Sequence, residues 1–231
     1  IFVYSNGLES LRELDVLPAI IDAGYAITDG RNVYLDHEGA PIVDTVYPPG
    51  RRGAPPILGI RRAELHRVLA SKLTQHAVDI RLATTVRRLP NSEVSGPIAV
   101  EFSDGNTADF DLLVAADGIR SQLRTAIAGE LEPRDSGFGV WRSVHARPGD
   151  LTEKIMMMGI GKRLGIMPIS TDQLYLFGTV REPRGERYAT DALPNLMRAR
   201  FAEFGAPARR FLDELSAGSD VLYTRVEEVI A

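Results

Sequence analysis

Residues 111–124 read DLLVAADGIRSQLR, an apolar run that turns abruptly into Asp-Gly and then into Ser and Arg. The uninterrupted apolar stretch 112–116 is the pattern of a strand buried on both faces, and Asp117-Gly118 is a turn signal at its C-terminal end. In an open α/β sheet that edge is where ligands bind. Two readings of the pair stay open. Asp117 accepts hydrogen bonds from ribose hydroxyls or from water around a phosphate, with Gly118 letting backbone approach closely, or Asp117 caps a helix that starts near Ile119.

The rest of the chain divides around this stretch. Leu8, Leu11, Leu14 and Leu17 recur at helical spacing, predicting one or two helices over 9–23 with a break at Pro18. Strands are expected at 32–35 and 42–46 around Glu38-Gly39. Residues 48–56 read as a loop, whose Arg51-Arg52 pair is either a solvated tip or a neutraliser of an anionic substrate. A helix over 61–76 sets Leu65, Val68, Leu69 and Leu73 on one face. Strands are expected at 80–89, 98–102 and 108–116, with a tight turn at Ser103-Asp104-Gly105. After Pro133, strands at 139–146, 154–158, 164–169 and 173–181 follow one another without long helices, which predicts an antiparallel sheet. Helices are expected at 191–204 and 207–215, and a closing strand at 223–230. Gly159-Ile160-Gly161 followed by Gly165 is not a dinucleotide loop, because no amphipathic helix follows it. It reads as the hairpin between 154–158 and 164–168.

Composition narrows the function classes. With 231 residues, 44% of them hydrophobic, the chain has enough apolar side chains for one large or two modest cores. A net charge of −4, with arginines interleaved among acids, argues against a nucleic-acid surface. No apolar run approaches the roughly 18 residues of a membrane span. The absence of cysteine excludes disulfides, thiolate catalysis and zinc–thiolate sites, and is compatible with a reducing cytoplasm, the expected location. His37, His66, His76 and His145 have no metal-ligand spacing, so no metal site is expected. A Ser-His-Asp hydrolase stays formally open, although no nucleophile elbow is visible.

Ala116-Asp117-Gly118-Ile119-Arg120-Ser121, with Arg124 beyond it, resembles the Asp-Gly fingerprint of the flavin-dependent aromatic hydroxylases, the single-component FAD monooxygenases similar to p-hydroxybenzoate hydroxylase. Two earlier segments support the resemblance by their order. Arg61, Leu65 and Leu69 match the family's Arg-x-x-Leu-x-x-x-Leu helix, and Ser5-Asn6-Gly7-Leu8 through Leu17 is similar to the helix after its first βαβ unit. The resemblance implies FAD as cofactor, NADH or NADPH as co-substrate, and transfer of one oxygen atom from O2 to an aromatic or similarly electron-rich small molecule. It also implies cofactor contacts at Asp117, Gly118, Arg61 and Val86. Against these stand a solvated surface arginine at Arg61 and a core valine at Val86. A guanidinium at a helix start suits an anionic pyrophosphate.

The resemblance further implies an α/β fold, α+β overall. An incomplete Rossmann-like FAD/NAD(P)-binding domain would occupy 1–134, of which 31–58 are also candidates for the substrate domain. An antiparallel-sheet substrate domain would occupy 135–220, with a return strand at 221–231. Trp141, Met156, Met158, Met167, Tyr175 and Phe177 are candidates for the substrate pocket, with plain core packing as the competing reading. No catalytic acid or base is assigned. The family's Gly-x-Gly-x-x-Gly loop and its late Gly-Asp motif are not found, so the chain is expected to be the middle of a longer protein. The alternatives are a flavoprotein of the same fold with another reaction, such as a halogenase, reductase or oxidase, and a truncated non-enzymatic binding module.

Overall fold

The structure, a computed structural model, describes residues 1–90 and 96–230. They cluster into two units, Ile1–Ala77 with Gly137–Arg225, and Val78–Ser136 with Val226–Ala231. Ala231, the last residue of the expected return strand, lies outside the described residues.

In chain order the first unit begins with β1 (Phe2–Tyr4), α1 (Ser5–Glu13), α2 (Leu17–Ala23), β2 (Tyr25–Ile27), β3 (Arg31–Asp36), β4 (Pro41–Val46), β5 (Ile57–Gly59) and α3 (Arg62–Gln75). Pro18 falls in the first turn of α2, where its missing N–H costs nothing, so the expected break becomes a helix start. The second unit carries β6 (Val86–Arg88), β7 (Ile98–Phe102), β8 (Thr107–Phe110) and α4 (Leu123–Ala128). β9 (Arg134–Ala146) then enters the first unit, followed by β10 (Lys154–Gly159), β11 (Lys162–Pro168), β12 (Gln173–Arg181), α5 (Leu193–Arg200), α6 (Ala208–Asp213) and β13 (Val221–Glu228).

The main sheet of the first unit has seven strands in the order β13-β9-β12-β11-β10-β3-β4. Its described pairs are antiparallel except β10 with β3, which run parallel. The β10–β11 hairpin turns at Ile160-Gly161, as the glycine spacing predicts. Alternation along these strands divides the side chains between two faces. Trp141, Leu174, Leu176, Leu164, Ile166, Ile155 and Met157 share one face through their register, and pack with Met197, Phe201, Phe211 and Leu212 of the α5–α6 region into the largest core. Met156, Met167, Tyr175 and Phe177 point the other way, where they meet Ile27 and Ile57 of the small β1-β5-β2 sheet. A third cluster, including Leu8, Leu17, Ile20 and Val68, buries α1 and α2 against α3.

The second unit corrects two expectations. Its three-stranded antiparallel sheet β6-β7-β8 is shorter than the 80–89 and 108–116 runs predict. Residues 112–116 pair with no described strand, and Leu112 and Val114 are 76% and 71% exposed. A strand buried on both faces needs a ladder on each side and a covering layer, and among the described residues of this unit neither is present for 112–116. The helix after Asp117-Gly118 starts at Leu123 rather than near Ile119.

Candidate active site

Asp117 braces the turn that leads into α4, whose N-cap residue is Gln122. Its Oδ2 accepts the backbone N–H groups of Gln122 at 3.0 Å and Leu123 at 3.4 Å. A hydrogen bond from Ser121, followed by those N–H groups, holds the carboxyl below the usual carboxylate range. Arg124 closes the loop by donating to the carbonyls of Gly118 at 3.0 Å and Leu131 at 3.1 Å. Gly118 adopts φ +83°, a region costly for any residue with a Cβ, and nothing lies within 4 Å of where that Cβ would stand. The glycine is therefore required by the backbone, and the space beside it is open. Val86, half-buried at the start of β6, pairs with Phe102.

In the other unit, Arg61 is the N-cap residue of α3 and is exposed. With Arg62, Arg142, Val144, Tyr175 and Asp220 it lines a cavity of about 710 Å³. Burial pushes the Tyr175 phenol up, with Arg142 opposing, so its O–H remains a donor on the cavity wall at neutral pH. Tyr175 stacks on Phe177 with ring centroids 5.2 Å apart, and Phe177 meets Phe2 at 5.4 Å. The line of rings continues from Phe2 to Tyr4 at 5.5 Å and from Tyr4 to Tyr47 at 4.9 Å. Gly165 makes room for Phe177, because a Cβ there would fall 2.2 Å from the ring.

Five of the six pocket candidates, Met156, Met158, Met167, Tyr175 and Phe177, stand on this aromatic face; Met158, at its end, is 40% exposed. Trp141 does not. It sits on the opposite face, fully buried, with Nε1 donating to Glu182 Oε1 at 3.0 Å and its ring 4.5 Å from that of Tyr223. Its position in β9 opposite Gly178 fixes that parity, so the tryptophan belongs to the core.

Two constellations join residues far apart in the sequence. Lys154 is buried on the aromatic face, where Nζ donates to the hydroxyls of Tyr4 and Tyr47 at 3.3 Å each. Burial, then the hydrogen bond with Tyr4, pushes the Tyr47 phenol up, whereas the hydrogen bond with Asn32 draws Tyr34 down. The available signal was a lysine opening an otherwise apolar strand two residues before Met156.

The second constellation joins Ser143 Oγ to His145 Nε2 at 2.8 Å and His145 Nδ1 to Glu214 Oε2 at 3.3 Å, the order of a hydrolytic triad. Ser143 also belongs to the cavity wall, yet it is 3% exposed and lies in mid-strand rather than on a tight turn. An acyl carbonyl cannot reach a hydroxyl so placed. The chain of hydrogen bonds ties β9 to the residue that ends α6, and burial lowers the His145 pKa against the opposing pull of Glu214.

No family model matches the sequence. The chain is 28% identical over 244 aligned residues to the FAD-dependent urate hydroxylase of Mycolicibacterium vanbaalenii, an alignment covering 100% of this chain and 58% of the relative. It is 29% identical to the aurachin C monooxygenase/isomerase of Stigmatella aurantiaca, covering 99% of this chain and 58% of that protein. Klebsiella pneumoniae HpxO, solved with FAD and uric acid, superposes with a TM-score of 0.81 at 24% identity, over 99% of this chain and 59% of that one. The chain thus spans somewhat more than half the length of the relatives it matches. The likeness read from the Asp-Gly stretch extends over the whole chain, which in sequence and fold resembles the flavin-dependent aromatic hydroxylases.

Proposed function

We propose that the protein carrying this chain is an FAD-dependent monooxygenase that hydroxylates a small aromatic or similarly electron-rich molecule, using NADH or NADPH and O2. The observation that supports it is the end-to-end likeness to proteins named as FAD-dependent hydroxylases or solved with FAD. The residues present fit the cofactor. Arg61, Arg62 and Arg142 place three guanidinium groups on one cavity, a donor set suited to an anionic pyrophosphate or an electron-rich carbonyl edge. In the other unit the open backbone at Gly118 admits close approach.

Arg61, Val86, Asp117 and Gly118 are our cofactor contacts, and the face bearing Met156, Met158, Met167, Tyr175 and Phe177 is our substrate seat. Residues 135–220 are accordingly the substrate domain, joined by 31–58, with the cofactor domain in 1–134 and the return strand at 221–231. A cytoplasmic location, where NAD(P)H is supplied, suits this chemistry, as does a net-acidic surface without nucleic-acid partners. Among the described residues no helix is long and apolar enough to cross a membrane.

Bound FAD supplies electron transfer and oxygen activation. The protein's share is placement and exclusion of water. Methionine and aromatic side chains hold a planar ring by dispersion and stacking in a site of low polarity, which strengthens the few polar contacts within it. Tyr175 holds its proton and offers it to a ligand oxygen as a hydrogen bond. The purified full-length protein should show a flavin absorption spectrum and consume NAD(P)H and O2 faster when a suitable aromatic compound is added. A colourless protein that takes up no added FAD sinks the proposal.

A further inference from the structure

Trp141, the only tryptophan of the chain, stands directly behind the cavity wall. Arg142 and Val144 of β9 line the cavity, whereas Trp141 leaves the same strand toward the core. An oxidant in the cavity is thus separated from the indole by the backbone of β9. Indole and phenol are the side chains that one-electron oxidants attack first where thiols are lacking, and this chain has no cysteine. Two tyrosines flank the indole. Tyr223 is the nearer, with ring centroids 4.5 Å apart, and Tyr188 stands at 5.6 Å. At such separations an electron crosses between rings without any opening to solvent, so the full burial of Trp141 is no obstacle.

Proton placement, rather than distance, distinguishes the two phenols. An oxidised phenol is a strong acid, and it settles as a neutral radical only where its proton has an acceptor. Tyr188 Oη donates to Glu182 Oε2 at 2.9 Å, and Trp141 Nε1 donates to the other oxygen of the same carboxylate at 3.0 Å. One buried base therefore serves both rings. Arg200 Nε donates to Glu182 Oε1 at 3.1 Å, which favours the ionised carboxylate and fixes its orientation. The Tyr223 hydroxyl instead accepts from Arg225 Nη1 at 3.4 Å and bonds to no carboxylate among the described residues. Burial, then Glu182, pushes the Tyr188 phenol up, so at rest it keeps its proton. Tyr188 is partly exposed, within reach of a reductant in solution.

We propose that Trp141, Glu182 and Tyr188 form a one-electron relay that carries oxidising equivalents from behind the cavity to the protein surface. Trp141 first gives one electron to the oxidant while its Nε1 proton passes to Glu182, leaving a neutral indolyl radical and a carboxylic acid. Tyr188 then gives one electron to the indolyl radical. Glu182 returns its proton to Nε1 and takes the phenol proton at Oε2, leaving a phenoxyl radical at Tyr188. A thiolate in solution gives Tyr188 one electron and becomes a thiyl radical, and Glu182 returns the proton, so all three side chains are restored. The relay keeps oxidation out of the largest core, to which Trp141 belongs. Its oxidant is a radical formed when reduced flavin meets O2 outside productive turnover, and only that identification rests on the functional proposal.

The test creates the radical with light. A laser flash that tryptophan absorbs and tyrosine scarcely does ionises the indole in the full-length protein, and transient absorption follows the separate bands of indolyl and phenoxyl radicals. The part of the signal lost in Trp141→Phe belongs to Trp141. Its decay should be matched by a rise of phenoxyl at the same rate. Tyr188→Phe, which keeps the ring and its packing, should abolish that rise, and Tyr223→Phe should leave it in place although Tyr223 is the nearer ring. Glu182→Gln, which keeps the shape but not the basicity, should slow the transfer roughly a hundredfold, the lower end of what a positioned base contributes. A purely structural network would show none of these changes. An indolyl radical that decays without phenoxyl, a phenoxyl rise that survives in Tyr188→Phe, or an unchanged rate in Glu182→Gln overturns the inference. Because light supplies the oxidation, the outcome is independent of FAD binding, and a failure here leaves the functional proposal standing.

Discussion

Glu182 is the most exacting place to perturb the largest core. It follows β12, its side chain has no exposed surface, and three donors converge on it: Trp141 Nε1 at 3.0 Å, Tyr188 Oη at 2.9 Å and Arg200 Nε at 3.1 Å. The hydrogen bond to Glu182 is the leading cause of the raised Arg200 pKa. In Glu182→Ala the indole N–H stays in the core without an acceptor, costing about 1–3 kcal/mol, while Tyr188 and Arg200 are partly exposed and regain water at about 0.5–1.5 kcal/mol each. The total, about 3–5 kcal/mol after cavity effects, matches the usual cost of stripping one partner from a buried ion pair. Glu182→Gln, which keeps the shape and one acceptor, should lose roughly half of that. The double variant Glu182→Ala/Arg200→Ala should be less damaging than the sum of its singles, because the groups share one network. Urea denaturation followed by tryptophan fluorescence measures all of them through Trp141 itself. A loss below about 1 kcal/mol for Glu182→Ala would mean that the convergence of donors contributes little and that the core is held by apolar packing alone.

Several other perturbations have definite expected outcomes. Because burial lowers the His145 pKa below its unfolded value, the unfolded chain binds the proton more tightly, so this contribution to stability is present above pH about 6.5 and is lost as pH falls toward the folded pKa. His145→Gln should flatten that part of the stability–pH profile, and an unchanged slope between pH 7 and 5 would refute the assignment. Gly118→Ala should destabilise the Asp-Gly loop by about 1 kcal/mol through its left-handed backbone alone, measurable by faster amide hydrogen exchange in α4. Gly165→Ala should displace the Phe177 ring and weaken binding of aromatic probes more than it weakens FAD, and equal losses in both would count against the aromatic face as the substrate seat. Asp117→Ala should fray the start of α4 and, on the functional reading, loosen FAD as well. Unchanged FAD affinity would leave Asp117 as a brace of that turn only.

What could be read from the sequence depended on the range of the interactions involved. The β10–β11 hairpin and the helix over Leu65, Val68 and Leu69 follow from local spacing, and the structure keeps both. Residues 112–116 were legible as apolar but not as exposed, since burial requires partner strands that a local pattern cannot supply. Trp141 and Tyr175 are aromatic residues of the neighbouring strands β9 and β12. Only the register that places Trp141 opposite Gly178 and Tyr175 opposite Val144 shows that their side chains leave the sheet on opposite faces. The Lys154 cage joins residues from β1, the loop after β4, and β10. No one-dimensional pattern brings Tyr4 and Tyr47 to a lysine more than 100 positions later. The Asp-Gly pair was legible as a turn, but the helix it was read as capping starts four residues later, with Gln122 as N-cap, and Asp117 braces the intervening turn while the space beside Gly118 stays open.

The most direct test of the central claim follows the oxygen atom. The full-length protein, supplied with NAD(P)H and the aromatic compound that most stimulates its oxidation, is allowed to turn over under isotopically heavy O2, and the product is weighed by mass spectrometry. A hydroxylated product carrying one heavy oxygen atom is expected. A product whose added oxygen comes from water, or NAD(P)H oxidation that yields only peroxide with every aromatic compound offered, would contradict it.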